Sequence, residues 1–263
     1  MVKIALSPLS PKKFSSLAAI SGIDLYTYSA QFYNKKRDDI AIFIFPEDSS
    51  VAEVFTKSSL RSSTLDWNEK NLKYRKIRAL FINAGNANTF TGKQGRVSII
   101  KIANKISSLF GVDTKNIFVA STGVIGEPFP ISKVLKVISK NTTSQNNWKK
   151  SAEAIMTTDT FPKGVNKEIK VENKKIHITG ISKGSGMIAP NMATMLGFIF
   201  TDIDIDSKLL NQLLKLNIED SFNSITVDGD ESTNDTVILA SSRTVKFKKK
   251  INSINDPRIK NFK

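Results

Sequence analysis

The sequence predicts an α/β protein, and three observations carry that prediction. Short apolar runs rich in Ile, Val and Phe recur between turn-forming stretches, several of them apolar enough to be buried on both faces. Longer segments with apolar residues at helical spacing alternate with these runs. The chain has 263 residues and is 40% hydrophobic, which is enough for a real core in one large domain or two modest ones.

Taken in order, residues 39–45 read as a β-branched and aromatic strand that Pro46 ends. Residues 51–55 continue into the polar Thr56-Lys57-Ser58. Residues 77–83 form a second buried strand and deliver the loop Asn83-Ala84-Gly85-Asn86-Ala87-Asn88-Thr89. Its asparagines and glycine tolerate left-handed backbone and bond their own loop, so a tight structural turn and direct ligand contact both stand open. A phosphate loop is excluded, because the glycine spacing before Gly92-Lys93 fails and no Ser or Thr follows the lysine. Residues 95–110 are a helix by period, with Val97, Ile100, Ala103, Ile106 and Phe110 on one side and Gly111 as its stop. Residues 116–120 form the next strand, ending in Ser121-Thr122-Gly123. A glycine there lets a backbone N–H face an approaching group, and the Thr122 hydroxyl is a second donor beside it. Two donors at a strand end suit a tetrahedral oxyanion, although a plain structural turn has the same composition.

Residues 130–139 and 148–156 read as two further helices joined by a polar link, the second with Trp148, Ala152, Ile155 and Met156 as its core stripe. It empties into Thr157-Thr158-Asp159-Thr160, whose side chains suit either a bound carboxylate or amide, or a capped turn. Residues 167–171 and 175–181 make a hairpin around Glu172-Asn173. His177, the only histidine, is a strand residue in it, and with no cysteine present neither a His-based triad nor a zinc cluster is expected. Later, residues 207–216 are a helix with Leu209, Leu210, Leu213 and Leu214 inward, preceded by Asp202, Asp204 and Asp206 as acids at its positive end. These acids, and the turn Asp228-Gly229-Asp230-Glu231, fail the spacing of a calcium loop. Residues 237–241 and 244–247 are strands, and the basic residues from Lys246 to the end read as a loosely ordered tail.

The formal net charge of +15 is unevenly placed. Residues 1–193 hold 29 basic against 14 acidic side chains, and the remainder is balanced. The lysines are scattered, and no RNA- or DNA-binding motif accompanies them, so solvated surface lysines are favoured over a specific nucleic-acid role. An apolar signal core and a membrane-spanning run are both missing, so a cytoplasmic protein is expected.

The stretch that carries the chemistry is Lys183-Gly184-Ser185-Gly186-Met187-Ile188-Ala189-Pro190-Asn191-Met192-Ala193-Thr194-Met195-Leu196-Gly197-Phe198. Gly184-x-Gly186-x-x-Ala189 fits the loose dinucleotide fingerprint, but Pro190 and a short apolar run follow where that fingerprint needs a helix. The run 192–201 reads instead as a buried strand, which places Thr194 at a strand edge beside a tight loop. A hydroxyl so placed suits attack on the Ala193 carbonyl. Cleavage there would give Thr194 a free α-amine, whose pKa near ~7.7–8 makes it a base for its own hydroxyl. Lys183 nearby would lower that amine's pKa or pair with a carboxylate, or would be an ordinary exposed loop lysine.

This stretch resembles the self-cleavage segment of the glutamate N-acetyltransferase family, the ornithine acetyltransferases of arginine biosynthesis. The match is long and ungapped, and the likeness extends from Asp39 to about Ala240. The resemblance implies cleavage between Ala193 and Thr194 and an acetyl-accepting nucleophile at Thr194. It implies an oxyanion hole of Thr122 and Gly123, and substrate contacts from Thr157, Lys183 and Thr194. It is also similar in the asparagine loop, with Ala84 where serine is usual, and in the 228–235 turn, with Glu231 where threonine is usual.

The fold so implied is the layered sheets and helices of the self-processing, amidohydrolase-like superfamily. Residues 1–193 would be the N-terminal fragment and residues 194–263 the start of the C-terminal one, with two such pairs assembled as a heterotetramer. Family members continue further and supply a glutamate and an Asn and Thr pair that have no counterpart here, so a truncated chain is expected. The implied reaction moves an acetyl group from N-acetylornithine to glutamate without metal or organic cofactor, with acetyl-CoA as a possible co-substrate. A threonine aminopeptidase or amidase of the same superfamily and an inactive remnant are the alternatives.

Overall fold

A computed structural model describes residues 10–34, 36–139, 143–186, 195–230 and 232–263. Its first half runs β1 (Asp24–Tyr28), β2 (Ile40–Ile44), β3 (Ser50–Phe55), α1 (Ser63–Leu72), β4 (Ala79–Asn86), α2 (Gly92–Phe110) and β5 (Ile117–Val124). The second runs α3 (Ile131–Ile138), α4 (Trp148–Ala154), β6 (Lys163–Val171), β7 (Lys174–Lys183), β8 (Leu196–Ile203), α5 (Ser207–Ile218) and β9 (Thr236–Val245).

The strands form two sheets, one in the order β1-β2-β4-β5 and one in the order β3-β9-β8-β7-β6. Pairing is antiparallel except for β4 with β5 and β8 with β9. The strands that looked buried on both faces are so, because each sheet lies between two apolar layers. On β4, Leu80 and Ile82 face the core between the sheets while Ala79 and Phe81 face outward to α2. On β9, Ile238 and Ala240 face the same inner core while Val237 and Leu239 face α5. Phe43 of β2 and Phe200 of β8 stack across the inner core at 4.8 Å, and Trp148 of α4 packs on Phe200 at 5.3 Å. The order is therefore helices, sheet, sheet, helix, an α/β fold as the sequence predicts, in the layered arrangement that the resemblance implies. Among the described residues no helix is long and apolar enough to cross a membrane.

α1 does something different from the other helices, since it seals the open edge of β5. Trp67 Nε1 donates to Ile117 O (2.8 Å), and Asn71 Nδ2 donates to the same carbonyl (3.0 Å). Asn68 donates to Val119 O (3.0 Å) and accepts from Val119 N (2.9 Å). Backbone groups of an edge strand that would need water are thus satisfied by side chains.

Several sequence expectations need correction. α2 starts at Gly92, and its buried face is Gly95, Ser98, Ile99, Ile102, Ala103 and Ile106, whereas Val97 and Ile100 are each 46% exposed. α4 ends at Ala154, with Met156 beyond it and only half-buried. The two strands expected at 237–241 and 244–247 are one strand, β9, which takes a left-handed residue at Arg243 (φ 55°) and continues. The C-terminal stretch is docked, with Phe247, Ile251 and Ile259 buried against the layer of α5. Of the three acids before α5, only Asp206 caps it, accepting from Leu209 N at 2.9 Å. Asp204 pairs with Arg243, and Asp202 accepts from the backbone N–H of His177, which is a strand residue of β7 as expected.

The strand expected at 192–201 is β8, beginning at Leu196. Ala193 and Thr194 lie outside the described residues. The segment after residue 194 supplies β8 and β9 to the middle of the five-stranded sheet, so the stretches before and after 194 share one sheet.

Candidate active site

The ends of β4, β5 and β7 converge with the loops at 157–159 and 228–234 around a cleft of about 550 Å³. Thr122, Gly123, Thr157 and Lys183 all line it. These are all of the predicted site residues that fall within the described chain, and they come from distant parts of the sequence. The 228–235 turn borders the cleft as well, through Asp228, Asp230 and Ser232 to Asn234. Tyr33 forms part of the wall and was not anticipated from sequence.

Lys183 is not the exposed loop residue that its surroundings in the sequence would permit. It ends β7 and is only 3% exposed, and its Nζ donates to Thr122 Oγ1 at 3.0 Å. Burial lowers its pKa below the ordinary lysine value, while the charges of Asp159 and Asp235 resist that shift. A threonine hydroxyl that accepts from an ammonium group keeps its own hydrogen for another acceptor. The contact therefore sets Thr122 up as a donor, the role an oxyanion hole requires.

Beside it, Gly123 has φ +130°, a backbone that L side chains rarely adopt. It sits where β4 and β5 pair closely, in register with Gly85. A Cβ on Gly123 would stand 2.3 Å from Gly85 C and 2.6 Å from Asn86 N, both backbone atoms that cannot step aside. Gly123→Ala is expected to cost at least ~3 kcal/mol, combining steric overlap with an unfavourable φ. A shift in the urea unfolding midpoint at unchanged slope measures it, and a loss under ~1 kcal/mol would contradict this geometry.

The asparagine loop resolves towards scaffolding. Asn83 accepts from Ser121 Oγ (2.6 Å) and donates to Asn86 O (2.8 Å). Asn86 donates to Glu127 O (3.1 Å) and accepts from Asn88 N (2.8 Å). Asn234, from the far turn, donates to both Ala87 O (2.7 Å) and Ser121 O (2.8 Å). These side chains spend their hydrogen bonds on one another and on backbone, which holds the β5 end rigid. Gly85 and Ala87 of the same loop line the cleft.

Asp159 organises the other wall. Its side chain is fully buried and accepts from Lys163 Nζ (2.5 Å), Gly184 N (2.8 Å) and Thr157 N (3.2 Å). Burial pushes its pKa upward, but the Lys163 hydrogen bond, the Gly184 N–H, the Lys163 charge and the Thr157 N–H together hold it below the usual carboxylate value. One carboxylate thus fixes the Thr157 loop to the start of the predicted cleavage segment. Arg37 adds to this by donating to the carbonyls of Glu153 (2.7 Å) and Met156 (2.9 Å), just ahead of Thr157, while lying over the Tyr33 ring.

The two ends of the predicted cleavage segment are tied to the same place. The chain leaves β7 at Lys183 and enters β8 at Leu196, and these two residues face each other in the ladder. Met195 O accepts from Thr236 N at 3.2 Å. Whatever residues 184–195 do, they start and finish beside the Lys183–Thr122 contact.

The chain matches the ArgJ family model over residues 25–262. It is 42% identical to the arginine biosynthesis bifunctional protein ArgJ of Bradyrhizobium diazoefficiens over 262 residues, covering 98% of this chain and 63% of that protein. A crystal structure of the ArgJ protein of Bacillus halodurans aligns with a TM-score of 0.61 and 26% identity, covering 65% of this chain and 91% of that one. The ornithine acetyltransferase of Mycobacterium tuberculosis, solved with ornithine, aligns at a TM-score of 0.54 and 26% identity, covering 66% and 93%. The L-aminopeptidase D-Ala-esterase/amidase of Ochrobactrum anthropi, described as a variant of the Ntn hydrolase fold, aligns at 0.50 and 12% identity over 92% of this chain and 80% of its own, a likeness of fold alone. The chain spans a little under two thirds of the length of the curated relatives it matches.

Proposed function

The chain belongs to the ArgJ family, and from that premise we propose that it is a self-cleaving acetyltransferase that carries an acetyl group from N-acetylornithine to glutamate. The observation that carries the proposal is the cleft itself. Lys183 on Thr122, with Gly123 beside it, stands at the point where the segment containing Ala193 and Thr194 departs and returns.

In this reading Thr194 Oγ first attacks the Ala193 carbonyl, the Ala193–Thr194 C–N bond breaks to free the Thr194 α-amine and leave an ester, and water then splits that ester into the Ala193 carboxylate and the Thr194 hydroxyl. In the transfer cycle that amine takes the proton from Oγ as Oγ attacks the acetyl carbonyl. Thr122 Oγ1–H and Gly123 N–H stabilise the negative oxygen that forms. The ornithine nitrogen leaves with the proton, and the amine of glutamate then attacks the acetyl-threonine ester by the same steps in reverse order. Thr157 and Lys183 hold the amino-acid substrate, Lys183 by its positive end. The donor set requires no metal or organic cofactor, and acetyl-CoA would serve as a second acetyl donor. The fragments 1–193 and 194–263 would stay together through the shared five-stranded sheet, in an assembly of two pairs in the cytoplasm.

Intact mass of the purified protein tests the first step. Two fragments dividing before Thr194, together with acetylglutamate formed from N-acetylornithine and glutamate, are expected. A chain that stays whole would overturn the proposal. Cleavage with release of acetate only, water acting as acceptor, would point to an amidase instead.

A further inference from the structure

Glu53 lies in β3 opposite Ile238 of β9, and its carboxyl is buried away from the cleft. Its Oε1 accepts from Asn68 Nδ2 (2.8 Å) and from Thr236 Oγ1 (2.7 Å), while Oε2 is buried with no hydrogen-bond partner. Both partners lead to the cleft. Asn68 holds the N–H and C=O of Val119 on β5, the strand that carries Thr122 and Gly123 near its end. Thr236 donates its backbone N–H to Met195 O, the carbonyl next after Thr194. One carboxyl thus joins the four-stranded sheet, which carries the donor pair, to the five-stranded sheet, which carries the residue after Thr194.

Oε1 can take both donors in either protonation state, and it is the burial of Oε2 without a donor that disfavours the charged form of the carboxyl. Burial pushes its pKa up to about 7; the hydrogen bonds from Asn68 and Thr236 oppose the rise and the charge of Glu69 adds to it. The charged groups around it are Glu69 on α1, Asp235 beside Thr236, and Arg75 and Lys208 across a cavity of about 250 Å³ next to β3. Among the described residues no ion pair reaches Glu53.

We propose that Glu53 is a positioning residue for the cleft, one whose carboxyl holds β5 and the start of β8 in register through Asn68 and Thr236, and whose ionisation loosens the packing of both because it leaves an uncompensated charge in the core. The link to catalysis rests on the acetyl-transfer reading; the link to the fold does not. The sign follows from the raised value. The neutral form is favoured in the folded state, so stability is full below about pH 4.5, falls as pH rises towards 7 and is level above that.

The test compares the wild-type protein with Glu53→Gln, which keeps the shape and the twice-accepting oxygen but cannot ionise. Thermal midpoint is read from pH 5 to 8.5, together with hydrogen exchange at the Thr122 and Gly123 amides and the pH profile of kcat. The wild-type midpoint and the amide protection are expected to fall more steeply with rising pH than those of Glu53→Gln, in which only the other buried groups titrate. Ionisation of Glu53 near pH 7 should flatten the rise in wild-type kcat that the α-amine produces, and Glu53→Gln should show the full rising limb. Glu53→Ala, which removes the link at every pH, should lower kcat about tenfold with KM nearly unchanged, as for an interaction felt only in the transition state. Parallel midpoints for wild type and Glu53→Gln would overturn the proposal. So would diverging midpoints with superimposed amide protection, which would mean a structural residue and nothing more. If neither protein transfers acetyl groups, the acetyl-transfer reading fails, and the amide protection still decides the role of Glu53.

Discussion

Thr194→Ala is expected to leave a single uncut chain and to lower acetyl transfer by at least ~10⁴-fold, with thermal stability close to wild type. The expected loss is large because one substitution removes two functions. Without the hydroxyl there is nothing to attack Ala193, so the bond stays intact and no α-amine appears. The cycle then lacks both its nucleophile and its base, groups that act as a unit and whose losses do not add. What survives is binding and the donors at Thr122 and Gly123, a residue of catalysis of the kind seen when a nucleophile is deleted from an intact oxyanion site. Thr194→Ser separates the steps, since it restores a hydroxyl without the methyl group and should cleave and transfer at reduced rates. Mass spectrometry of the purified variants and an acetylglutamate assay read both quantities. Cleavage in Thr194→Ala at the wild-type site would remove the basis of the mechanism.

The parts of this fold that could be read in the sequence are those where burial is two-sided. β2, β4, β5 and β8 lie between two apolar layers, so their runs are continuous and their type is unmistakable. α1 escaped notice for the opposite reason. Its buried positions include Thr64, Asn68 and Asn71, which serve the edge of β5 with amide groups, so no apolar period exists to be found. The phase of α2 differs from the sequence expectation because Val97 and Ile100 are as apolar as the residues actually buried, and only Gly95 and Ser98, small residues on the packed side, distinguish the faces.

The candidate site is legible through a resemblance in residues 183–198 and through the Thr122-Gly123 pair, and one cleft brings together every described member of that set. The residues that hold it in place were not. Glu53 stands in a β-branched strand where a charged side chain reads as solvent-facing, and its burial depends on Asn68 and Thr236, which are far away in sequence. Asp159 was visible only as one polar residue in a polar turn. Nothing local shows that it would be the fully buried member of its group, because its partners at Lys163 and Gly184 are brought to it by the hairpin of β6 and β7.

Asp159→Asn is accordingly expected to be the most damaging change among residues that take no part in the chemistry. Breaking a buried ion pair leaves the remaining charge poorly compensated and costs on the order of 3 kcal/mol, a little less here because Lys163 retains some contact with water. The amide also meets its neighbours badly. Its oxygen can still accept from one of Gly184 N and Thr157 N, but its NH₂ group then faces the other donor. The Thr157 loop and the start of the cleavage segment lose their common anchor, and Lys183 loses a negative charge that resists the lowering of its pKa. Activity should therefore fall more than tenfold, with a rise in KM if Lys183 binds the substrate carboxylate as an ammonium ion. The pH dependence gives a stricter check. Asp159 has a depressed pKa in the folded protein, so its contribution is present above the unfolded value near ~4 and is lost as pH falls through the folded one. Wild type and Asp159→Asn should differ fully at pH 6, and the difference should shrink progressively as pH falls below the unfolded value near ~4 in chemical unfolding experiments. A difference that is constant down to pH 2.5 would mean that the charge of Asp159 is not what stabilises this wall of the cleft.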